Sequence, residues 1–97
     1  DLDNNFVYFG KNGTYQNSGD PTSGSSGTGG FATDSGQTYF FVGGDRTTGG
    51  GGTLEINFGN PPYTVSSGNN DGIYGNFEYA PPSGYYALCT KRLAEFG

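Results

Sequence analysis

Residues 53–58 read Thr-Leu-Glu-Ile-Asn-Phe, and they alternate polar and apolar side chains more regularly than any other part of the chain. In an extended backbone successive side chains point to opposite faces, so Leu54, Ile56 and Phe58 would share one face. The polar side chains between them would face solvent. The segment therefore predicts a β-strand with one buried face, ended by the Gly-Asn-Pro-Pro turn at residues 59–62.

Shorter strands are predicted on both sides of this segment. Residues 38–42 form a compact, mostly aromatic run that suits a buried strand, and residues 77–80 form the last predicted strand. Near the start, residues 6–9 form a strand, and the Asn-Gly pair at residues 12–13 predicts a hairpin that returns through residues 14–16. The local patterns are therefore those of an all-β chain.

The composition points the same way. Only 31% of the residues are hydrophobic and 20 are glycine, so helix-favouring positions are scarce and turn-forming residues recur every few positions. The eight Phe and eight Tyr residues are expected to be the main packing units, because each aromatic side chain can bury on the order of 150 to 250 Å². The one predicted exception to β structure is a helical turn over residues 90–96, with Thr90 as its N-cap.

Three polar segments connect the predicted strands. Residues 17–37 and 43–52 are rich in Gly and Ser and are predicted to be flexible loops. Phe31 is the only large apolar side chain in the first of them and is a candidate anchor for it. Residues 66–76 form a third, polar loop. Long loops in compact domains are usually either functional or disordered, and composition does not choose between the two.

Three landmarks follow one another along the chain. Asp-Leu-Asp-Asn-Asn at residues 1–5 leads to Tyr-Phe and Lys-Asn-Gly within residues 8–13. Leu-Glu-Ile-Asn-Phe-Gly follows at residues 54–59, and Pro-Pro-Ser-Gly-Tyr-Tyr-Ala-Leu-Cys-Thr closes the series at residues 81–90. In this order the segments resemble the SPRY domains of phage structural proteins. The specific part of the match lies in the final half of the chain, and the loops between the landmarks are not diagnostic.

The resemblance implies an all-β fold, an antiparallel β-sandwich of the SPRY or lectin-like jelly-roll type. Residues 1–97 would form a single, partial domain equivalent to the C-terminal half of that fold. Its earlier strands would lie upstream of Asp1 or be replaced by neighbouring subunits, since an isolated chain would leave strand edges unpaired. The lack of an initiating Met also predicts a processed product or a piece of a larger chain.

The function implied by the resemblance is that of a non-catalytic virion module, part of a tail or head fibre or of a decoration protein, exposed at the virion surface outside the cell. Its loops would contact the host surface or host glycans. Its expected partners are other virion subunits, including copies of itself in a homo-oligomer. The alternative is a purely architectural assembly segment that pairs with neighbouring subunits and binds no ligand.

The residue inventory excludes most catalytic mechanisms. The chain has no histidine, which removes a Ser-His-Asp triad, a Cys-His pair and histidine-bound zinc. Glu55 and Glu78 are the only plausible carboxylate pair for glycoside cleavage, and both occupy outward positions of predicted strands, where solvated glutamates are ordinary. No glycine motif for nucleotide binding is present. The chain is therefore predicted not to be an enzyme and to need no cofactor.

Metal, nucleic-acid and membrane partners are not predicted either. Asp1, Asp3 and Asn5 have the spacing of a calcium loop, but Phe6 stands where such a loop needs glycine, so a tight turn is the better explanation. The net charge of −5 comes without a basic stripe that could neutralise phosphates. No apolar run approaches the roughly 20 residues that insert across a bilayer.

The polar loop at residues 66–76 contains the candidate ligand-binding site. Lectin-like sites bind sugars through an exposed aromatic face beside amide and carboxylate groups. The loop offers one such group of side chains, formed by Tyr74, Asn69, Asn70, Asp71 and Asn76. The competing interpretation is ordinary turn chemistry, in which Asn and Asp side chains bind their own backbone and the tyrosine fills space.

Cys89 is the only cysteine, so an internal disulfide is impossible. The chain is therefore not a disulfide-stapled secreted miniprotein. Cys89 is expected to pack as a small buried hydrophobe, and an intermolecular disulfide is the alternative.

Overall fold

The computed structural model describes residues 1–44, 46 and 48–97. The regular elements of this part of the chain are β1 (Phe6–Val7), β2 (Gly10–Lys11), β3 (Thr14–Tyr15), β4 (Phe31–Ala32) and α1 (Thr90–Phe96). Two 3-10 turns, Gln16–Ser18 and Gly24–Ser26, lie between β3 and β4. No helix in these ranges is long and apolar enough to cross a membrane.

The chain divides into two compact units. Unit 1 comprises Asp1–Gln37 and Pro81–Tyr85, and unit 2 comprises Thr38–Ala80 and Tyr86–Gly97. The strands β1 to β4 belong to unit 1, whereas helix α1 and the predicted ligand loop belong to unit 2. The predicted flexible loop at residues 43–52 includes positions 45 and 47, which lie outside the described residues.

A tight hairpin forms where the Asn-Gly pair predicts one. Strands β2 and β3 pair antiparallel, with Lys11 opposite Thr14. Asn12 and Gly13, the two residues between the strands, have φ values of 51° and 76°. Two successive positive φ values are typical of a type I′ turn, whose twist matches that of the strands it joins. The hairpin prediction is confirmed.

A second two-stranded sheet joins β1 to β4 in antiparallel fashion, with Val7 opposite Phe31. Strand β4 lies within residues 17–37, a segment predicted from its composition to be a loop. The ring of Phe31 meets the ring of Phe9 edge-on, with 5.7 Å between the centroids. Phe31 therefore acts as the anchor that the sequence suggests.

Glycine permits close packing in the same segment. Gly27 has a φ of 58°, a left-handed conformation that suits glycine, and a Cβ at this position would overlap the ring of Phe6. The segment also closes on itself where the Asp20 N–H donates to the carbonyl of Thr28 at 2.9 Å. Residues 17–37 thus have a defined set of contacts, and their flexibility stays a prediction.

Helix α1 occupies the residues predicted for it. It begins at Thr90 and ends at Phe96, and the extended residue Cys89 is its N-cap without a side-chain cap bond. Thr90 is thus the first helical residue rather than the cap. The guanidinium of Arg92 lies 4.0 Å from the ring centroid of Tyr86 and 4.4 Å from that of Phe96. The contact with Tyr86 holds the helix against the segment before it, whereas the contact with Phe96 lies within the helix.

The predicted all-β antiparallel β-sandwich is wrong. The described residues form four two-residue strands in two separate two-stranded sheets, and one helix. Residues 38–42, 53–58 and 77–80 belong to none of these strands, although Phe77 makes an isolated bridge to Asn69. A strand exists only where a second backbone pairs with it, and alternation within one segment does not supply that second backbone.

Apolar side chains are correspondingly exposed. Among the described residues, Ala87 is the only buried hydrophobic side chain, at 4% exposure. None of the eight Phe and eight Tyr residues is buried. Leu54, Ile56 and Phe58, which were predicted to face a core, are 61%, 51% and 41% exposed. The aromatic residues contact one another in surface pairs instead of filling a core.

Candidate functional site

The predicted ligand loop, residues 66–76, is closed by backbone hydrogen bonds within unit 2. Asn69 and Phe77 exchange two of them, at 2.9 and 2.8 Å. Inside this bridge the Asp71 N–H donates to the carbonyl of Tyr74 at 2.9 Å. The loop therefore brings the predicted site residues together in one tight turn.

The carboxylate of Asp71 organises this turn. Its Oδ1 accepts hydrogen bonds from the N–H groups of Tyr74 at 2.7 Å and Ile73 at 3.0 Å. Its Oδ2 accepts the N–H of Ala87 at 2.9 Å. The side chain of Asp71 is 0% exposed. A buried carboxylate is tolerated only when donors surround it, and here three backbone N–H groups do so.

Arg92 of helix α1 approaches the same carboxylate, with its Nη1 3.8 Å from Oδ2 of Asp71. The hydrogen bond from the Tyr74 N–H, followed by that from Ala87, holds the pKa of Asp71 below its ordinary value of 3.8, against the opposing effect of burial. The positive charge of Arg92 lowers the pKa of Asp71 further. Asp71 is therefore ionised at neutral pH, and it joins the loop to the segment at Ala87 and to helix α1.

Tyr74, the residue singled out for sugar stacking, is engaged by the helix as well. Its hydroxyl donates a hydrogen bond to Oε2 of Glu95, and the residue is half-buried. That hydrogen bond is the main cause of a raised pKa for Tyr74, with desolvation and the negative charge of Glu95 adding to it. The hydroxyl of Tyr74 is thus already hydrogen-bonded to another residue of unit 2.

Asn69 and Asn70 use their side-chain amides on the loop itself. The Nδ2 of Asn69 donates to the carbonyl of Glu78 at 2.9 Å and, at 3.4 Å, to that of Phe77. The Oδ1 of Asn70 accepts the N–H of Gly72 at 2.8 Å, which is an Asx-turn. Both side chains therefore stabilise the turn, as the competing interpretation of the sequence expects.

Asn76 contributes through its backbone carbonyl, which accepts a hydrogen bond from Nδ2 of Asn57 at 2.8 Å. The Oδ1 of Asn57 accepts the N–H of Gly59 at 2.7 Å. A Cβ at Gly59 would lie 3.1 Å from the Cβ of Ala87 and 3.3 Å from that of Cys89, whose free thiol residue is half-buried. The sequence predicts Asn57 as an outward residue of a strand. Its position two residues before a glycine is the one sequence feature that indicates the turn formed by its side chain.

Glu78 anchors the beginning of the loop. Its carboxylate accepts hydrogen bonds from the N–H of Ser66 at 2.9 Å, from the hydroxyl of Ser66 at 2.5 Å and from that of Ser67 at 3.1 Å. The hydroxyl of Ser66 is the main cause of a lowered pKa for Glu78. Glu78, half of the only carboxylate pair considered for catalysis, thus binds its own loop.

The calcium-like spacing at the start of the chain forms a turn in unit 1. The carboxylate of Asp1 accepts the backbone N–H of Asn4 at 3.1 Å and the side-chain amide of Asn4 at 2.9 and 3.1 Å. Asn5 has a φ of 59°, which Asn tolerates. Within the described ranges, no three His, Cys, Asp or Glu side chains come together as a metal-binding group.

Unit 2 also carries an exposed apolar patch, which we define as Phe40, Phe41, Val42, Leu54, Ile56 and Phe58. The first three are 84%, 78% and 87% exposed. The two segments of the patch meet where the rings of Phe41 and Phe58 lie 5.7 Å apart. The backbone of residues 40–42 makes no hydrogen bond to any described residue. Sequence reasoning assigned this patch to a core, and the low aliphatic content was the signal that the chain alone cannot bury it.

No family model, curated protein or solved structure matches the chain. The resemblance to phage SPRY domains and the virion role that it implies stay predictions, supported by the three sequence landmarks alone.

Proposed function

We propose that this chain is a non-catalytic structural module that assembles with neighbouring subunits, copies of itself among them, through the apolar patch. The main support is the exposure of the patch, from 41% at Phe58 to 87% at Val42, in a chain whose described residues bury only one hydrophobic side chain. Burying a large apolar side chain contributes about 1.5–3 kcal/mol, so association would supply stability that the chain does not gain alone. This is the architectural alternative of the two functions considered from the sequence.

The polar loop supports architecture over sugar recognition. A lectin-like site needs polar groups that are free to bind a ligand and an aromatic face beside them. Here the carboxylate of Asp71 is 0% exposed, and the hydroxyl of Tyr74 is bonded to Glu95. The amide of Asn69 is bonded to backbone carbonyls. The groups chosen as a ligand site therefore build the loop.

The virion surface is the proposed location of the assembly. This part of the proposal depends on the resemblance to phage structural SPRY domains. An exposed aromatic patch is compatible with it, since subunits of large assemblies commonly complete their apolar surfaces against neighbours. Host-surface or glycan contact is the function that this proposal sets aside.

Sedimentation velocity over a wide concentration range tests the proposal. We expect species heavier than the 10.1 kDa chain. We expect Ile56→Ser to weaken their association by about tenfold, because it removes an exposed apolar side chain that association would bury. Tyr79→Ser is the matched control, since Tyr79 is a comparably exposed residue of unit 2 outside the patch. A monomer at every concentration would contradict the proposal.

A glycan array with the wild-type chain and with Tyr74→Ala tests the alternative function, which is glycan recognition. The architectural proposal expects no binding that depends on Tyr74. Glycan binding that disappears in Tyr74→Ala would replace assembly with recognition as the function of unit 2.

A further inference from the structure

Residues 38–42, which contain the first segment of the apolar patch (Phe40, Phe41 and Val42), have the composition of a β-strand. Residues 38–42 read Thr-Tyr-Phe-Phe-Val, all of them aromatic or β-branched residues that favour strands. None of them has a positive φ, and none belongs to a strand. The backbones of Thr38, Phe40 and Val42 make no hydrogen bond to any residue that the structure describes. Such a segment readily pairs with a strand from another chain.

We propose that residues 38–42 pair antiparallel with the same residues of a second copy of this chain, around a two-fold axis at Phe40. This inference rests on the proposed assembly function and specifies its partner and geometry. Because each copy supplies the same segment, one contact satisfies both chains and closes the assembly as a dimer at this interface.

Symmetry restricts the register of such a pair. Hydrogen-bonded and non-hydrogen-bonded pairs alternate along antiparallel strands, so a two-fold axis must place one residue opposite its own copy. With Phe40 at the axis, Tyr39 faces Phe41 of the second copy and Thr38 faces Val42. Every pair then joins aromatic or β-branched side chains, which stabilise neighbouring strands. With Phe41 at the axis, Tyr39 would instead face Gly43, which has no side chain to pack.

The backbone and the charges agree with the register at Phe40. If the two Phe40 residues form a hydrogen-bonded pair, then Thr38 and Val42 form the next hydrogen-bonded pairs on either side. The backbones of these three residues make no hydrogen bond to any described residue, so they are available for such pairs; the Phe41 backbone also makes none and would face away from the second copy in this register. Residues 35–44 carry no charge, so two chains with a net charge of −5 each can meet there without like charges opposite one another.

Exposure fits the same geometry. Alternate side chains of an extended segment point to opposite faces, so Phe40 and Val42 share one face and Phe41 lies on the other. Phe41 contacts Phe58 of its own chain, with 5.7 Å between ring centroids. Phe40 and Val42 are the more exposed residues, at 84% and 87%. In the proposed pair, Phe40 and Val42 would lie beside Phe40 and Thr38 of the second copy, on the face that their own chain leaves open.

Disulfide trapping tests the register. In a Cys89→Ser background, Phe40→Cys places two thiols on facing residues with Cα atoms about 5.5 Å apart, within the range of a disulfide. Val42→Cys is the matched control, because Val42 is about as exposed as Phe40. In the proposed register the two Val42 residues are four positions apart along the strands, about 14 Å, which is too far for a disulfide. Mild oxidation and non-reducing electrophoresis should give a dimer with Phe40→Cys about tenfold faster than with Val42→Cys.

A second variant keeps the Phe40 ring in place. Thr38→Cys with Val42→Cys in the same background puts a cysteine opposite a cysteine at both ends of the pair, and we expect it to cross-link efficiently. The sedimentation mass of each reduced variant is measured alongside. If the chains associate but neither Phe40→Cys nor the double variant forms a cross-linked dimer, this register is wrong and the proposed assembly function stands. A monomer in every sample overturns both.

Discussion

The carboxylate of Asp71 accepts the backbone N–H of Ala87 at 2.9 Å, and Ala87 is the one buried hydrophobic residue in the described part of the chain. The two residues are sixteen positions apart in sequence. Through this bond and the approach of Arg92, a single ionised side chain connects the polar loop, the segment before α1 and the helix. The side chain of Asp71, which is shielded from solvent, is therefore the point at which these three parts of unit 2 meet.

Asp71→Asn should destabilise unit 2. The substitution removes the charge that strengthens the hydrogen bonds from Tyr74, Ile73 and Ala87, and it places an amide where only acceptors are needed. We expect the melting temperature to fall by roughly 5 °C or more. Circular dichroism in the aromatic region follows the transition. Asp3→Asn, the same change at an exposed position, is the control and should melt like the wild type.

The stability of unit 2 should fall as the solution becomes acidic. Hydrogen bonds lower the pKa of Asp71 from 3.8 and that of Glu78 from 4.5, so their ionised forms stabilise the folded state. This contribution is fully present above the unfolded values and is lost as pH falls through the lower folded values. Urea unfolding between about pH 6 and pH 3 should show the decline. A midpoint that does not change with pH over this interval would show that these bonds do not stabilise the fold.

Tyr74→Phe should loosen helix α1. The variant keeps the ring and removes the hydroxyl that donates to Glu95. Helix α1 therefore loses one hydrogen bond to the loop. We expect amide hydrogen exchange in residues 90–96 to accelerate by about two- to tenfold, the equivalent of one lost hydrogen bond. Tyr79→Phe removes an exposed tyrosine hydroxyl of unit 2 and should leave this exchange unchanged. Equal exchange in the two variants would mean that the Tyr74 hydroxyl does not hold the helix.

Gly27→Ala should destabilise unit 1 more than Gly36→Ala does. Both glycines have a positive φ, at 58° and 71°, so both substitutions carry the backbone penalty of about 1–2 kcal/mol. At Gly27 the new methyl group would also overlap the ring of Phe6, whereas nothing lies within 4 Å at Gly36. We expect an additional loss of about 1–3 kcal/mol at Gly27. Denaturant unfolding of the two variants measures it, and identical values would contradict the packing of Gly27 on Phe6.

Local chemistry made some features of the chain predictable. The Asn12-Gly13 hairpin follows from two residues that accept positive φ, and helix α1 follows from a run of helix-forming residues in a chain otherwise poor in them. The strand predicted at residues 53–58 failed for a different reason. Its alternation shows which side chains could share a face, but pairing depends on a second backbone that the sequence of one segment does not specify.

The position of the candidate site was predictable from the sequence, whereas the hydrogen-bond partners of its residues were predictable only in part. The sequence shows that Asn69, Asn70, Asp71, Tyr74 and Asn76 share one loop. It does not show that Asp71 reaches Ala87 or that Tyr74 reaches Glu95, because both partners come from distant positions brought near by the chain reversal. Asn57 was missed for the same reason, since its bond to Asn76 spans nineteen positions.

Hydrogen exchange of residues 38–42, measured at several protein concentrations, tests the assembly through the apolar patch most directly. The amide groups of Phe40 and Val42 have no partner among the described residues, so in a lone chain they should exchange at the rate of unstructured peptide. We predict protection that rises with concentration as copies associate. Exchange that stays fast and unchanged from dilute to concentrated solution would contradict the account.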